Sequence, residues 1–383
     1  MDQGLDRRIR RSSRRRPRDG GYRAARTRRP VSSPLRETEI RPAELMAEQA
    51  RRYRADVDWL LSHRDRFVAT PCPACGADRA RPVWRKDDLD YVLCEACETV
   101  YMNPRPEPDL LGEYYRVSRN YQYWNQTIFS ASEDVRREKI FAPRAERVAR
   151  VARRHGVASG TLVDVGAGFG TFCEEVVGLD LWDRIVAVEP EPHLARTCRE
   201  KGLEVIEERI EDARLGEASV ITSFEVIEHL FSPAEFVRRC GELLRPRGLL
   251  ILTCPNVKGF DIVVLREAAS AVSAEHLNYM HLDSLAGLLD SFGFEVLERE
   301  TPGRLDVELV RNCALSRTFT PAFASTFFAC CVLCSVKWKM FAADTADAPA
   351  CTPSTRCSNL PTPPQMMTGI VVSLETASMS GRS

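Results

Sequence analysis

Hydrophobic and polar positions change period several times along the chain. Between about 134 and 311, short apolar runs recur at 161–165, 184–188, 203–206, 219–223 and 249–253. Amphipathic stretches with helical spacing lie between them at 171–178, 191–201 and 232–245, and Pro246 and Gly248 punctuate the last. A basic amphipathic helix is predicted over 134–155, broken near Pro143 and ending at Gly156. Upstream, Met46, Ala50, Tyr53, Val57, Leu60 and Leu61 keep helical steps of threes and fours, after Pro42 and Glu44 at the expected helix start. Neither period persists past Val310.

Apolar strands alternating with helices imply an α/β fold: a Rossmann-like, doubly wound, mostly parallel sheet with right-handed crossovers. Ligands of such sheets bind at the carboxyl ends of the strands. The expected organisation is an Arg-rich disordered tail over 1–40, a helical segment over 41–70, a cysteine module over 71–108, an aromatic linker or lid over 109–133, the α/β domain over 134–311, and a low-charge, disordered tail over 312–383.

Composition sharpens both ends. The 383 residues carry 54 Lys and Arg against 54 Asp and Glu, so no overall charge drives the chain onto nucleic acid or membrane. Residues 1–30, however, hold 12 arginines and three acids. They read as a disordered tail or as a weak polyanion-binding arm. The far tail holds six of the 14 cysteines and few charges. It reads as foreign to the fold, a frameshifted or read-through end, with a membrane-touching hairpin at 321–336 as the alternative. No run of about 18 apolar residues is long enough to span a membrane. The amino terminus has no apolar core of a secretory signal. Many cysteines without an export signal point to a reducing, cytoplasmic setting.

Four of the cysteines are spaced as ligands. Cys72 and Cys75, then Cys94 and Cys97, form C-x2-C-x18-C-x2-C. Each C-x2-C turns tightly enough to aim two thiolates at one centre, and Gly76 permits the first turn. Two such knuckles complete the tetrahedron of a structural Zn²⁺ with no open position. Val83-Trp84 and 91–93 read as strands of a zinc ribbon. Val100 to Pro108 reads as a stiff extended linker with prolines at 104, 106 and 108. The aromatic cluster Tyr114, Tyr115, Tyr121, Tyr123, Trp124 and Phe129 then lids a pocket or covers a domain face.

The first strand of the α/β unit runs into Asp164-Val-Gly166-Ala167-Gly168-Phe169-Gly170-Thr171. The third position of a dinucleotide fingerprint fails here, and Asp164 places a carboxylate where a pyrophosphate would be repelled. A ligand carrying an ammonium and a sulfonium welcomes that carboxylate. Glu189, followed by Pro190, ends the second strand 25 residues after Asp164, where it can accept both hydroxyls of a ribose.

This stretch resembles class I S-adenosylmethionine-dependent methyltransferases, in detail the branch similar to ubiquinone-biosynthesis O-methyltransferases, over roughly 134–311. With CPAC, CEAC and VYMNPRP upstream, it looks most like members that carry an amino-terminal zinc ribbon. The resemblance implies S-adenosyl-L-methionine as cofactor, with Asp164 and the 166–170 loop around its methionine part and Glu189 on its ribose. It implies Ile210 and Glu211 beside the adenine and Phe224 after the fourth strand. It also implies two closing strands, for which 294–299 and 306–310 are the candidates.

The fourth strand end reads Phe224-Glu225-Val-Ile-Glu228-His229. Glu225 stands where a zinc-binding H-x-x-E-H needs its first histidine, so a metal is not expected there. Glu225 is expected to face the cofactor. His229 is a general base or a structural histidine. After the fifth strand, His276, Asn278 and Tyr279 are candidate acceptor contacts, implied by the resemblance.

The expected function is methyl transfer to a small-molecule, sugar-nucleotide or glycan-precursor acceptor by in-line displacement. Catalytic candidates are His229, His276 and Tyr279. An RNA methyltransferase using the ribbon and arginine arm is the alternative, but acids outnumber bases over 71–125, which argues against nucleic acid. A non-catalytic protein that binds zinc and cofactor is the further alternative.

Overall fold

A computed structural model describes residues 35–301 and 310–311 together with the backbone of 367–374. Its centre is a sheet with the strand order Phe294–Glu300, Met367–Leu374, Leu244–Pro255, Ala218–Phe224, Thr161–Val165, Arg184–Val188, Glu204–Ile206. The last five of these are parallel to one another. The sheet thus has seven strands, with five forming one continuous parallel block. Met367–Leu374 runs antiparallel between its two neighbours.

That strand is the main departure from the sequence reading, which leaves 312–383 outside the fold. Its signal was present in the β-branched run Ile370-Val371-Val372. A long run without periodicity separates it from the rest of the sheet and hides it. Val310, expected in the closing strand, is helical, and 306–309 lie outside the described residues. So do the arginine-rich segment 1–30, the stretch 321–336 and the run 343–364.

Alternation along the strands decides which helix covers which face. Leu162, Val220, Leu249 and Ile251 face Ala145, Val148, Ala149 and Ala152 of helix Ala142–Arg154 and Phe172 and Val176 of helix Thr171–Val177. Val163, Val165, Ile221, Leu250 and Leu252 face Phe236, Val237 and Cys240 of helix Pro233–Leu243 and Leu285, Leu288 and Leu289 of helix Leu282–Asp290. Cover on both faces is why the strands read as apolar runs instead of alternating. The helix over 130–154 is not broken at Pro143. It continues through a wide π-type turn, Arg137–Phe141, that delivers the proline to the first turn of Ala142–Arg154, where its missing N–H costs nothing. Helix Pro233–Leu243 gives way directly to a strand that starts at Leu244 and shifts register before Leu249, which absorbs Pro246 and Gly248.

The cysteine module does not stand apart from this unit. Its antiparallel strands Ala80–Lys86, Leu89–Cys94 and Val100–Met102 are joined at the edge by Asn278–Tyr279, from beyond the fifth parallel strand. The segment read as a linker supplies the lock between them. Arg105 is fully buried and donates to the carbonyls of Met102 and Phe231 and to Asn278 Oδ1. Helix Ala43–Leu61 packs Val57 and Leu60 into the same core as Leu89, Tyr91, Ile262 and Leu277. Its Asp56 is buried and accepts from Ser118 Oγ and from the backbone N–H of Arg119 and Asn120.

Candidate active site

A cavity of about 1730 Å³ opens at the carboxyl ends of the parallel strands. Strand Thr161–Val165 ends in a turn that only glycine fits. Gly166 has φ +74° and Gly170 φ +69°. A Cβ on Gly166 would stand 2.4 Å from Val226 Cγ2, and one on Gly170 2.5 Å from Leu203 Cδ1. Gly168 differs: a Cβ there would meet nothing within 4 Å, so its backbone borders open cavity. Gly166, Ala167, Gly168 and Phe169 line the cavity, whereas Gly170 turns into the packing behind it.

Two carboxylates flank this loop. Asp164 is buried and accepts from Thr222 Oγ1 at 2.7 Å and Cys173 Sγ at 3.5 Å; burial pushes its pKa up to about 6. Glu189 is buried too, and its oxygens accept from Gly168 N at 2.8 Å and Glu191 N at 2.9 Å. Burial outweighs those bonds and raises it to about 7. Pro190, Ile210, Glu211, Phe224 and Glu225 also line the cavity. Glu225 sits at φ +58°, held by its own N–H to Thr253 O and by the Thr253 hydroxyl on its carboxylate. A non-glycine residue persists in that region only where its surroundings hold it.

Sequence reasoning missed Arg144. It lies on the helix Ala142–Arg154, in a run of arginines whose spacing gives no sign that one turns inward. Its guanidinium stands over the Phe224 ring at 4.3 Å, with attraction from Glu225 and Asp164, and burial lowers its pKa. Among the described residues it has no hydrogen-bond or ion-pair partner, and it lines the cavity. The aromatic stretch does line the site. Phe129 stacks on Phe169 at 5.4 Å, and Tyr115, Tyr121 and Trp124 line the same space.

The other part of the cavity is assembled from three distant segments. His229 Nδ1 lies 2.9 Å from Glu275 O and 2.8 Å from the hydroxyl of Tyr115. A carbonyl can only accept, so Nδ1 carries the proton and Nε2 keeps its lone pair. His276 repeats this, with Nδ1 2.7 Å from Ala271 O, and the two imidazoles meet edge to face at 4.6 Å. Burial pushes His229 down to about 3 and His276 to about 4, so both are neutral near pH 7. Burial raises Glu275 to about 7, although Asn120 Nδ2 donates to it at 2.6 Å.

Tyr279 does not belong to this wall. It is fully buried, donates its hydroxyl to Ala271 O at 3.2 Å, accepts from Ser273 N at 3.0 Å, and packs edge-on against Trp84 and Tyr91. Its role as a catalytic residue is corrected to one in the joint core. Asn278 is likewise spent on that joint, between Arg105 and the carbonyls of Ile227 and Leu230.

The four cysteines come together. Cys72 and Cys97 sulfurs are 3.5 Å apart, Cys75 and Cys94 sulfurs 3.6 Å, and all four lie within 4.8 Å of one another. The two knuckles repeat one geometry. Gly76 N–H returns to Cys72 O and Glu98 N–H to Cys94 O, with Gly76 at φ +73° and Glu98 at φ +58°.

Residues 136–299 match the family model described as a methyltransferase domain. The ubiquinone biosynthesis O-methyltransferase of Pseudomonas paraeruginosa is 29% identical over 131 residues, 31% of this chain and 56% of that protein. The enzyme of the same name from Nitrosococcus oceani is 34% identical over 118 residues, 27% of this chain and 48% of that protein. The chain thus spans about half the length of the curated relatives it matches. Among solved structures, an S-adenosylmethionine-dependent methyltransferase from Clostridium acetobutylicum aligns with TM-score 0.40 and 8% identity, over 66% of this chain and 99% of the other. Residues 136–299 thus carry the sequence pattern of a methyltransferase domain, and the curated relatives that match here bear methyltransferase names.

Proposed function

We propose that this chain moves the methyl group of S-adenosylmethionine to a small-molecule acceptor held in the same cavity. The observation that carries the reading is one cavity with two chemically different walls. One has two buried carboxylates and a glycine loop with open space at Gly168. The other has two neutral histidines under Tyr115.

The residues of the first wall suit the cofactor. Glu189, with one backbone donor on each oxygen, keeps lone pairs for the vicinal hydroxyls of a ribose. Asp164 and Glu225 supply negative charge for an ammonium and a sulfonium. Arg144, with no hydrogen-bond or ion-pair partner among the described residues, fits the carboxylate of a methionine moiety. Ile210 and Glu211 offer an apolar and a polar edge to a base. The bound cofactor would supply an activated methyl on sulfur. The protein's part is then to hold a nucleophile in line with the carbon–sulfur bond, a proximity effect worth several kcal/mol. His229 and His276, neutral and each with one free nitrogen, can accept a hydrogen bond from an acceptor hydroxyl or amine and turn its lone pair toward the methyl group.

The four-cysteine cluster fits one structural Zn²⁺, through Cys72, Cys75, Cys94 and Cys97, leaving no position for chemistry. We assign it the task of fixing the ribbon edge on which Asn278–Tyr279 pairs.

The acceptor class is tested by incubating the protein with labelled S-adenosylmethionine and fractionated small molecules from cells, and separately with total RNA. The reading expects label in the small-molecule fraction. Label in RNA alone would contradict it.

A further inference from the structure

The sequence sets aside a metal at 225–229 because a glutamate stands where the first histidine ligand should be. Folding supplies that missing histidine from elsewhere. A carboxylate oxygen of Glu228 and one ring nitrogen each of His229 and His276 all lie within 4.8 Å of one another. Among the described residues, the ring nitrogen of each histidine that makes no hydrogen bond is Nε2. The Nδ1 of His229 is 2.9 Å from Glu275 O, and that of His276 is 2.7 Å from Ala271 O.

Metal-ligating histidines are held in this way: one nitrogen gives its proton to a backbone carbonyl, which fixes the tautomer and aims the other lone pair. The third member adds an independent signal. Glu228 is 1% exposed, and its Oε2 has no hydrogen-bond partner among the described residues. A buried carboxylate oxygen without a donor is costly, and a cation would relieve that cost.

We propose that Glu228, His229 and His276 form a binding site for a divalent transition-metal ion of the zinc or iron(II) class. Two imidazoles and one carboxylate are a ligand set of that class; magnesium and calcium prefer oxygen alone. All three residues line the cavity, so the remaining coordination positions face the space assigned to the acceptor. With the ion bound, the Nε2 lone pairs would serve it in place of the acceptor's hydrogen bond, and an acceptor hydroxyl could instead coordinate the ion and have its pKa lowered. That role rests on the methyl-transfer reading; the binding of metal does not. The cysteine cluster is a separate site with separate donors.

The test uses the full chain saturated with Zn²⁺, freed of excess metal and analysed by inductively coupled plasma mass spectrometry. The wild type should hold about two zinc ions, and Glu228→Gln or His276→Asn about one. Circular dichroism and binding of S-adenosylhomocysteine report separately on the fold and the cofactor wall. A second readout uses wild type alone. Co²⁺ replacing zinc should give an intense thiolate charge-transfer band from the cysteines, then a weaker d–d spectrum without thiolate character as the second equivalent fills. One zinc ion in the wild type with thiolate bands alone overturns the proposal. So does a second ion that persists in both variants. A methyl-transfer failure with two ions bound would count against the function and leave the metal site standing.

Discussion

The two walls of the cavity are built in opposite ways. The cofactor wall comes from consecutive strand ends: Asp164 and Gly166 close one strand, Glu189 closes its neighbour, and Phe224 and Glu225 close the next. The opposite wall takes Tyr115 from the aromatic stretch that follows the cysteine module, His229 from a 3₁₀ turn and His276 from an insert pinned to the ribbon sheet. A strand end holds its position through the sheet, so the first wall is preorganised by the core. The second exists only while the module and the α/β unit stay joined. Damage to the sheet should therefore strike cofactor binding, and damage to the ribbon the acceptor wall.

The largest effect is expected from Gly166→Ala. A side chain at φ +74° costs about 1–2 kcal/mol, and the contact with Val226 adds to it. Thermal denaturation should show a loss of about 2–4 kcal/mol, and S-adenosylhomocysteine binding should fall below detection. Gly168→Ala meets no protein atom. It should cost less stability but still impair binding, because its methyl would occupy the ligand's space.

Cys94→Ser should remove the ribbon's zinc and lower the melting temperature by several degrees, consistent with loss of a metal that stabilises folding. If the two walls are as independent as their construction implies, the affinity for S-adenosylhomocysteine should survive this change while methyl transfer falls. Equal loss of both would erase the contrast.

Glu189→Ala should weaken cofactor binding by about 1.5–3 kcal/mol, roughly ten- to a hundredfold. Arg144→Met should cost about tenfold for S-adenosylhomocysteine and little for 5′-methylthioadenosine, which lacks the amino-acid portion. Equal losses for both ligands would remove Arg144 from the carboxylate.

The pH dependence of Glu189 has a definite sign. Its pKa is raised from 4.5 to about 7 in the folded chain, so the folded state holds the proton more tightly. Its contribution to stability is full below pH 4.5 and is lost as pH rises through 7. Measured against Glu189→Gln, the wild type should lose at most about 3 kcal/mol across that window. Cofactor binding should run the other way and strengthen with pH, since the ribose hydroxyls need the ionised carboxylate. The smallest effect is expected from Tyr279→Phe, which loses hydrogen bonds in the joint core: about 1 kcal/mol of stability, with kcat unchanged. A collapse of kcat would return Tyr279 to the acceptor wall.

The same contrast explains what was legible. Asp164, the glycines and Glu189 could be read because their chemistry sits within one strand–turn unit at fixed spacing. The five parallel strands were legible because both faces are covered. The cysteines brought together in the structure were likewise marked by spacing. Arg144 was hidden because a basic run on a helix is ordinarily a solvated face. Arg105 was hidden among prolines, in a stretch whose extended character is correct but whose burial follows from contacts with Phe231 and Asn278. Glu228 was set aside on a local motif test, and only tertiary structure brings His276 to it. Met367–Leu374 shows the general limit: sequence patterns identify a strand, but its partner depends on chain closure over long distances.

Calorimetric titration of the wild type with S-adenosylhomocysteine, set beside NADH, tests the central claim most directly. The account predicts one site per chain for S-adenosylhomocysteine, with affinity rising between pH 5 and 8, and no binding of NADH. Binding of NADH with indifference to S-adenosylhomocysteine would contradict it and make the cavity a dinucleotide site.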